Sequence, residues 1–160
     1  MPKSESFVEP DDLVGRASYL VRLIQIAAYK NFESRMKGFG SAPRYYGLMR
    51  IVQANPGILQ SRLAETICLD RSSLVPILDT LSKEGLLERH PSTDDKRVRC
   101  VFLTETGAAL LQDMSALVDE HEAKMVEGLS DEERDTLVEL LLKVSKNLRP
   151  EVSSTGVVAK

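Results

Sequence analysis

Apolar residues recur along the first part of the chain at Leu13, Ala17, Leu20, Ile24 and Ala27, alternately four and three apart. That spacing places them on one stripe of a helix over residues 11–37. Val14, Val21 and Ala28, with Tyr19, Leu23 and Ile26, widen the stripe. A helix so broadly apolar needs more than one packing partner. Gly38, Gly40 and Pro43 then interrupt the chain, and a second helix is predicted over residues 43–54, with Leu48, Ile51 and Val52 on one side. Asn55-Pro56-Gly57 is a turn signal. Two shorter helices follow, over residues 59–66 and 71–83, and the second carries an inward stripe of Leu74, Ile77, Leu78 and Leu81. Asp70 is placed to cap it by accepting from unpaired backbone amides. Gly85 is placed to end it. Pro76 inside it removes one backbone hydrogen bond and should bend it.

The period then changes. Residues 86–91 and 97–103 read as two strands joined by Ser92-Thr93-Asp94-Asp95-Lys96, the second alternating arginine with apolar residues as a half-buried strand does. A long helix is predicted over residues 105–127, with Leu110, Met114, Leu117, His121 and Met125 near heptad spacing. Ser130-Asp131-Glu132-Glu133 is a capping-box sequence that opens a last helix with an apolar face of Leu137, Leu140, Leu141, Val144 and Leu148. Residues 1–10 and the stretch beyond Pro150 lack periodicity, which suggests a mobile arm and a flexible tail. This element order predicts a mainly α protein. The layout expected from it is a winged helix-turn-helix with a small β-hairpin wing, flanked by N- and C-terminal dimerisation helices. The corresponding division is 1–10 arm, 11–42 dimerisation helix, 43–104 DNA-binding domain, 105–149 dimerisation helices and 150–160 tail.

The net charge of −3 over 160 residues gives no hint of nucleic acid. By segment the picture changes. Residues 11–58 hold seven basic and three acidic residues, a net of +4; residues 60–103 balance seven against seven; residues 104–149 hold five basic and eleven acidic, a net of −6. A local positive face is what DNA binding requires, and an acidic surface elsewhere does not forbid it. No apolar run approaches a membrane span, and the first residues lack the apolar core of a secretory signal. Two cysteines, Cys68 and Cys100, cannot build a disulfide framework. A cytoplasmic protein without membrane contact is the expectation. No Gly-rich phosphate loop, metal cluster or nucleophile elbow is present, so no enzyme, cofactor or metal is expected. His90 and His121 stand apart from other ligand types and make a poor metal site.

The most specific stretch is Asp95-Lys96-Arg97, followed by a strand and Leu103-Thr104-Glu105-Thr106-Gly107. With Leu63-Ala64-Glu65 and Asp70-Arg71-Ser72-Ser73 before it, the chain resembles the multiple-antibiotic-resistance regulator (MarR) family over about residues 11–149. The resemblance implies an obligate homodimer that regulates transcription by binding double-stranded DNA at an inverted-repeat operator, usually as a repressor. Each recognition helix would enter a major groove and each wing an adjacent minor groove. Carried onto this sequence, Arg97 is the wing arginine, Asp95 the acid that shapes the wing, and Lys96 and Arg99 its basic neighbours. The planar, weakly hydrated guanidinium suits the negative potential of a narrow minor groove. Arg71, Ser72 and Ser73 open the recognition helix, where base edges and phosphates are contacted. Two departures stand out: Cys68 where the family commonly has glycine, and Pro76 within the recognition helix. Pro76 concentrates base contact on Arg71, Ser72 and Ser73, with Asp79 a further candidate.

Tyr19, Arg22, Arg44, Tyr45, Tyr46 and Arg50 form an aromatic-plus-arginine set on the first two helices. They are either ordinary packing with solvated arginines or an effector site between dimer base and DNA-binding lobe, where the family binds ligands. Rings stacking on tyrosine and a carboxylate pairing with arginine would suit an aromatic acid. Arg71-Ser72-Ser73-Leu74-Val75-Pro76 also resembles the branch of the family that governs catabolism of aromatic compounds, some members of which bind coenzyme A (CoA) thioesters. Two alternatives stay open: a switch through oxidation of Cys68 or Cys100, and a winged helix that contacts only protein.

Overall fold

The computed structural model describes residues 10–149; the expected arm, apart from Pro10, and the expected tail lie outside the described residues. In chain order the elements are α1 (Asp11–Val14), α2 (Ala17–Arg35), a 3-10 turn (Ala42–Tyr45), α3 (Tyr46–Ala54) and β1 (Ile58–Leu59). They continue with α4 (Gln60–Thr66), α5 (Arg71–Lys83), β2 (Leu87–Pro91), β3 (Arg99–Leu103), α6 (Glu105–Met125) and α7 (Asp131–Leu148). The predominance of helix with one small antiparallel sheet is the winged helix-turn-helix predicted from periodicity.

Several boundaries differ from expectation for local reasons. The helix expected over 11–37 is broken. The Gly15 amide closes a single turn on Asp11, and Arg16 is extended (φ −91°, ψ 120°) before α2 begins. The Arg16 Nε also donates to the Asp12 carbonyl at 3.1 Å, which caps the short first turn. The four-residue step from Leu13 to Ala17 carries no sign of the break. The expected helix over 43–54 starts as a 3-10 turn, and the long helix ends at Met125 rather than residue 127. β1 was not expected at all. Two residues are too few to show a period, but they pair with β3 (Ile58 opposite Val101) and make the sheet three-stranded in the order β1-β3-β2.

The core gathers Met49 and Val52 of α3, Leu63 of α4, Leu74, Leu78 and Leu81 of α5, Leu87 and Val101 of the hairpin, and Met114 of α6, all fully buried. The predicted stripes of α3 and α5 therefore meet. α5 ends as predicted: Gly85 takes φ +72°, its amide bonds to the Ser82 carbonyl at 3.0 Å, and the Leu86 amide reaches Leu81 at 2.9 Å. This is a Schellman closure.

Leu103-Thr104-x-x-Gly107 clasps the wing to the lobe. The Thr104 hydroxyl accepts from the Gly107 amide (2.9 Å) to cap α6, and donates to the Gly85 carbonyl (2.7 Å). The Thr104 amide bonds to the Leu86 carbonyl at 3.1 Å. A Cβ at residue 107 would lie 2.3 Å from that same carbonyl oxygen, so only glycine fits.

α2 and α7 contrast with the lobe. Neither contains a buried residue, and Leu20, Val21, Leu23, Ile24 and Ile26 on α2 and Leu137, Val138, Leu140, Leu141, Leu142 and Val144 on α7 are exposed. The capping box at the start of α7 is formed on both sides, by Ser130 and Glu133. At its other end the Arg149 guanidinium donates to the carbonyl of Thr66, the last residue of α4.

Candidate nucleic-acid interface

α4 and α5 form the helix-turn-helix. Their turn closes as α5 does, with the Leu69 amide on the Ala64 carbonyl (2.9 Å) and the Cys68 amide on Glu65 (3.2 Å). The left-handed position that Gly85 fills at the end of α5 is filled here by Cys68, at φ +56°. This gives a physical reason why glycine suits this site. Asp70 then caps α5, accepting from the Ser73 amide at 2.7 Å and from the hydroxyls of Ser72 (2.5 Å) and Ser73 (2.9 Å). These bonds, the Ser72 hydroxyl foremost, hold its carboxyl down at about 2. Pro76 sits inside a helix that continues past it to Lys83. Asp79 does not face outward free: its carboxylate is paired with Arg89 of β2 at 2.5 Å, which takes it away from the surface that Arg71, Ser72 and Ser73 present.

The wing is shaped by one acid. The Val98 amide bonds to the Asp95 carbonyl and the Ser92 amide to Val98, both at 2.9 Å, closing the tip. The Asp95 side chain accepts from the Arg97 backbone amide at 2.9 Å and from its Nε at 3.2 Å. Arg97 is thus aimed by Asp95 while its side chain stays 92% exposed, and Lys96 is exposed beside it. Between wing and helix-turn-helix lies a cleft of ≈ 240 Å³ lined by Gln60, Ser61, Arg71, Arg97, Val98 and Arg99. Three arginines from α5, the wing tip and β3 therefore face one space. Gln60 and Ser61 were missed by sequence reasoning; their place at the start of α4, beside β1, became visible only with that strand.

The second candidate set is divided. Arg44 and Tyr45 line a cavity of ≈ 710 Å³ together with Gln25, Tyr29, Gly47, Leu48, Ile67, Leu69 and Ile77. The same two side chains border a second hollow of ≈ 540 Å³ that reaches Glu33, Lys37, Ser41 and Thr80. Tyr19, Arg22, Tyr46 and Arg50 line neither. Tyr46 packs edge-on against Phe32 (centroids 6.5 Å apart), Arg50 bonds to Gln53 at 2.7 Å, Arg22 is exposed and Tyr19 is half-buried on α2. Tyr29, which donates to Glu33, takes the place that Tyr19 was expected to hold. Its pKa is raised, by burial first and then by that bond to Glu33. Gln25 and Tyr29, four residues apart on one face of α2, were missed by the sequence reading. His121, half-buried, lies tilted against Phe32, with ring centroids 5.1 Å apart and planes at 60°.

Residues 42–98 match the model of the MarR family. A Thauera aromatica protein, the candidate transcriptional regulatory protein for the hcr operon, is 33% identical over 133 residues, 82% of this chain and 80% of the relative. The chain belongs to the MarR family. It is a transcriptional regulator of MarR type. Among solved structures, the repressor CouR bound to a 23-mer DNA duplex superimposes with a TM-score of 0.80 at 28% identity, covering 88% of this chain and 99% of that one. CouR from Rhodococcus jostii RHA1 bound to p-coumaroyl-CoA shares the fold, with a TM-score of 0.72 at 23% identity over 88% of this chain and 96% of that one. α3, α4, α5 and β2 fall within the residues that the family model matches. Among the described residues, no helix is long and apolar enough to cross a membrane.

Proposed function

We propose that this chain is a homodimeric repressor that binds an inverted-repeat operator and leaves it when an acidic aromatic compound, as free acid or CoA thioester, fills the Arg44–Tyr45 cavity. The observation that carries the DNA contact is the convergence of Arg71, Arg97 and Arg99 on one cleft beside the exposed start of α5. Arg71, Ser72 and Ser73 read the major groove; Asp95 aims Arg97 and, with Lys96 and Arg99, places the wing on the backbone and minor groove. Residues 43–104 are the DNA-binding unit. The exposed apolar faces of α2 and α7 are buried against a second copy, which makes them dimerisation elements. Two-fold symmetry then sets half-sites about one helical turn apart.

The effector reading rests on what the cavity touches. Gln25 and Tyr29 belong to the dimer base, Ile67 and Leu69 lie in the helix-turn-helix turn, and Ile77 is on the recognition helix. A ligand there contacts both units at once, and Arg44 supplies the charge for a carboxylate or phosphate.

Operator binding should weaken steeply with salt, as arginine–phosphate contacts require. Arg97→Ala should weaken it by about 1–3 kcal/mol without affecting the fold. Binding that is indifferent to salt and to Arg97 would point to a protein-only winged helix instead. For the effector, calorimetry with aromatic acids and their thioesters should show binding that Arg44→Ala reduces. An effector that lowers operator affinity about 100-fold needs ~2.7 kcal/mol of coupling, and operator must weaken the effector equally. A response that instead vanishes in the Cys68→Ser, Cys100→Ser double variant would make the switch oxidative.

A further inference from the structure

Within that DNA-binding reading, we infer that Asp70 sets the base preference of the recognition helix by holding the Ser73 proton. Ser73 then meets the operator as a hydrogen-bond acceptor and reads an exocyclic amine, adenine N6 or cytosine N4. Both Asp70 oxygens are engaged: Oδ1 lies 2.7 Å from the Ser73 amide and 2.5 Å from the Ser72 hydroxyl, and Oδ2 lies 2.9 Å from the Ser73 hydroxyl. An ionised carboxylate can only accept, so at each contact the serine must donate. The carboxyl is held at about 2, so it is ionised at any physiological pH. A hydroxyl has one proton. Once that proton is committed, only lone pairs remain to face outward.

This decides what Ser73 can touch. Phosphate oxygens only accept, and guanine and thymine offer acceptors in the major groove, whereas adenine N6 and cytosine N4 donate. Donating to guanine would require breaking a charge-assisted bond to Asp70, stronger than the neutral bond that would replace it, and donating to a phosphate would only exchange one charge-assisted bond for another with no gain. The anion-attracting start of α5 is likewise already occupied by the Asp70 carboxylate. The phosphates fall instead to the cleft beside it, where Arg71, Arg97 and Arg99 converge. That cleft is the independent mark that Ser72 and Ser73, both exposed, look out on nucleic acid. Labour is divided: Arg97 and Arg99 serve the backbone and minor groove, while Ser73, beside Arg71, accepts from a base.

Asp70→Asn tests this without removing the cap, since asparagine caps helices as well as aspartate does. Its Oδ1 keeps the Ser73 amide. Its Nδ2, in place of Oδ2, donates to the Ser73 hydroxyl and releases the proton outward. An operator is first selected from a random-sequence duplex library with the full-length protein. Each adenine and cytosine is then replaced, one at a time, by purine or 2-pyrimidinone, which lack only the exocyclic amine. Affinities are measured for wild type, Ser73→Ala and Asp70→Asn. One replacement in each half-site should weaken wild type by about 10-fold or more, within the range of a base contact. The same replacement should leave both variants unchanged. Loss of base pairing itself would affect all three proteins alike, so the difference between them isolates the contact. If every replacement that weakens wild type weakens Ser73→Ala equally, or if Asp70→Asn keeps the wild-type sensitivity, the inference is overturned. A library that yields no enriched site overturns the DNA-binding reading instead.

Discussion

Replacing Gly107 by alanine sets two effects of known size against each other. Residue 107 lies in the first turn of α6, where alanine is favoured over glycine by up to about 1 kcal/mol. Against this, the added Cβ would sit 2.3 Å from the Leu86 carbonyl oxygen and 2.8 Å from the Leu103 Cδ1. Relief needs a shift of about an ångström at Leu86, which is buried and whose carbonyl also holds the Thr104 amide. Weakening that hydrogen bond costs about 1 kcal/mol, and overpacking a tight core costs about 1–3 kcal/mol. The clash therefore wins, with a net loss of about 1–3 kcal/mol. For a chain of this size that lowers the melting temperature by roughly 2–4 °C per kcal/mol. Thermal and urea unfolding at one fixed protein concentration provide the measurement, with Ala109→Gly on the exposed face of the same helix as a propensity control. A Gly107→Ala protein as stable as wild type, or more so, would show that the backbones do not meet there.

Three further outcomes follow from other parts of the molecule. Cys68→Gly should stabilise the protein by about 0.5–1 kcal/mol, because a left-handed non-glycine residue costs more than the entropy that glycine adds; urea midpoints at constant slope give the value. Leu140→Glu with Leu141→Glu should yield a folded monomer by analytical ultracentrifugation, since both side chains are about half exposed in the single chain; an unchanged dimer would place the interface elsewhere. Asp70, lowered from 3.8 to about 2, stabilises the fold fully above about pH 4 and loses that contribution as pH falls through about 2. The stability gap between wild type and Asp70→Asn should accordingly close over that interval, and a gap constant with pH would contradict the bonding described for Asp70.

Period and punctuation carried most of the fold. The α5 limits, its Asp70 cap and the Gly85 closure followed from residue types with strong local preferences, and these preferences agree with the packing. β1 could not be foreseen because its two residues gain their identity from β3, a partner forty residues away. The break at Gly15–Arg16 was hidden because its neighbours keep helical spacing. At the nucleic-acid interface, Arg97 and Asp95 were found through a motif whose geometry is local. The cavity was harder. Tyr45 and Arg44 were found by residue type, but type alone also drew in Tyr46, whose ring turns to Phe32, and Arg50, which turns to Gln53. The 3-10 turn at Ala42–Tyr45, which carries both Arg44 and Tyr45, has no marker in the spacing.

The contact between Arg149 and the Thr66 carbonyl makes α7 a lever. At 1.5 Å per residue its 18 residues span about 27 Å, so tilting the far end by roughly 5° carries the tip through about 2 Å. A hydrogen bond survives only a few tenths of an ångström of stretch before it is lost. A tilt of that size would therefore part the contact, whose acceptor, Thr66, is the residue immediately before the turn between α4 and α5. Cargo fused just beyond residue 149 would load that contact directly, so its effect on operator affinity measures how firmly α7 is tied to the helix-turn-helix.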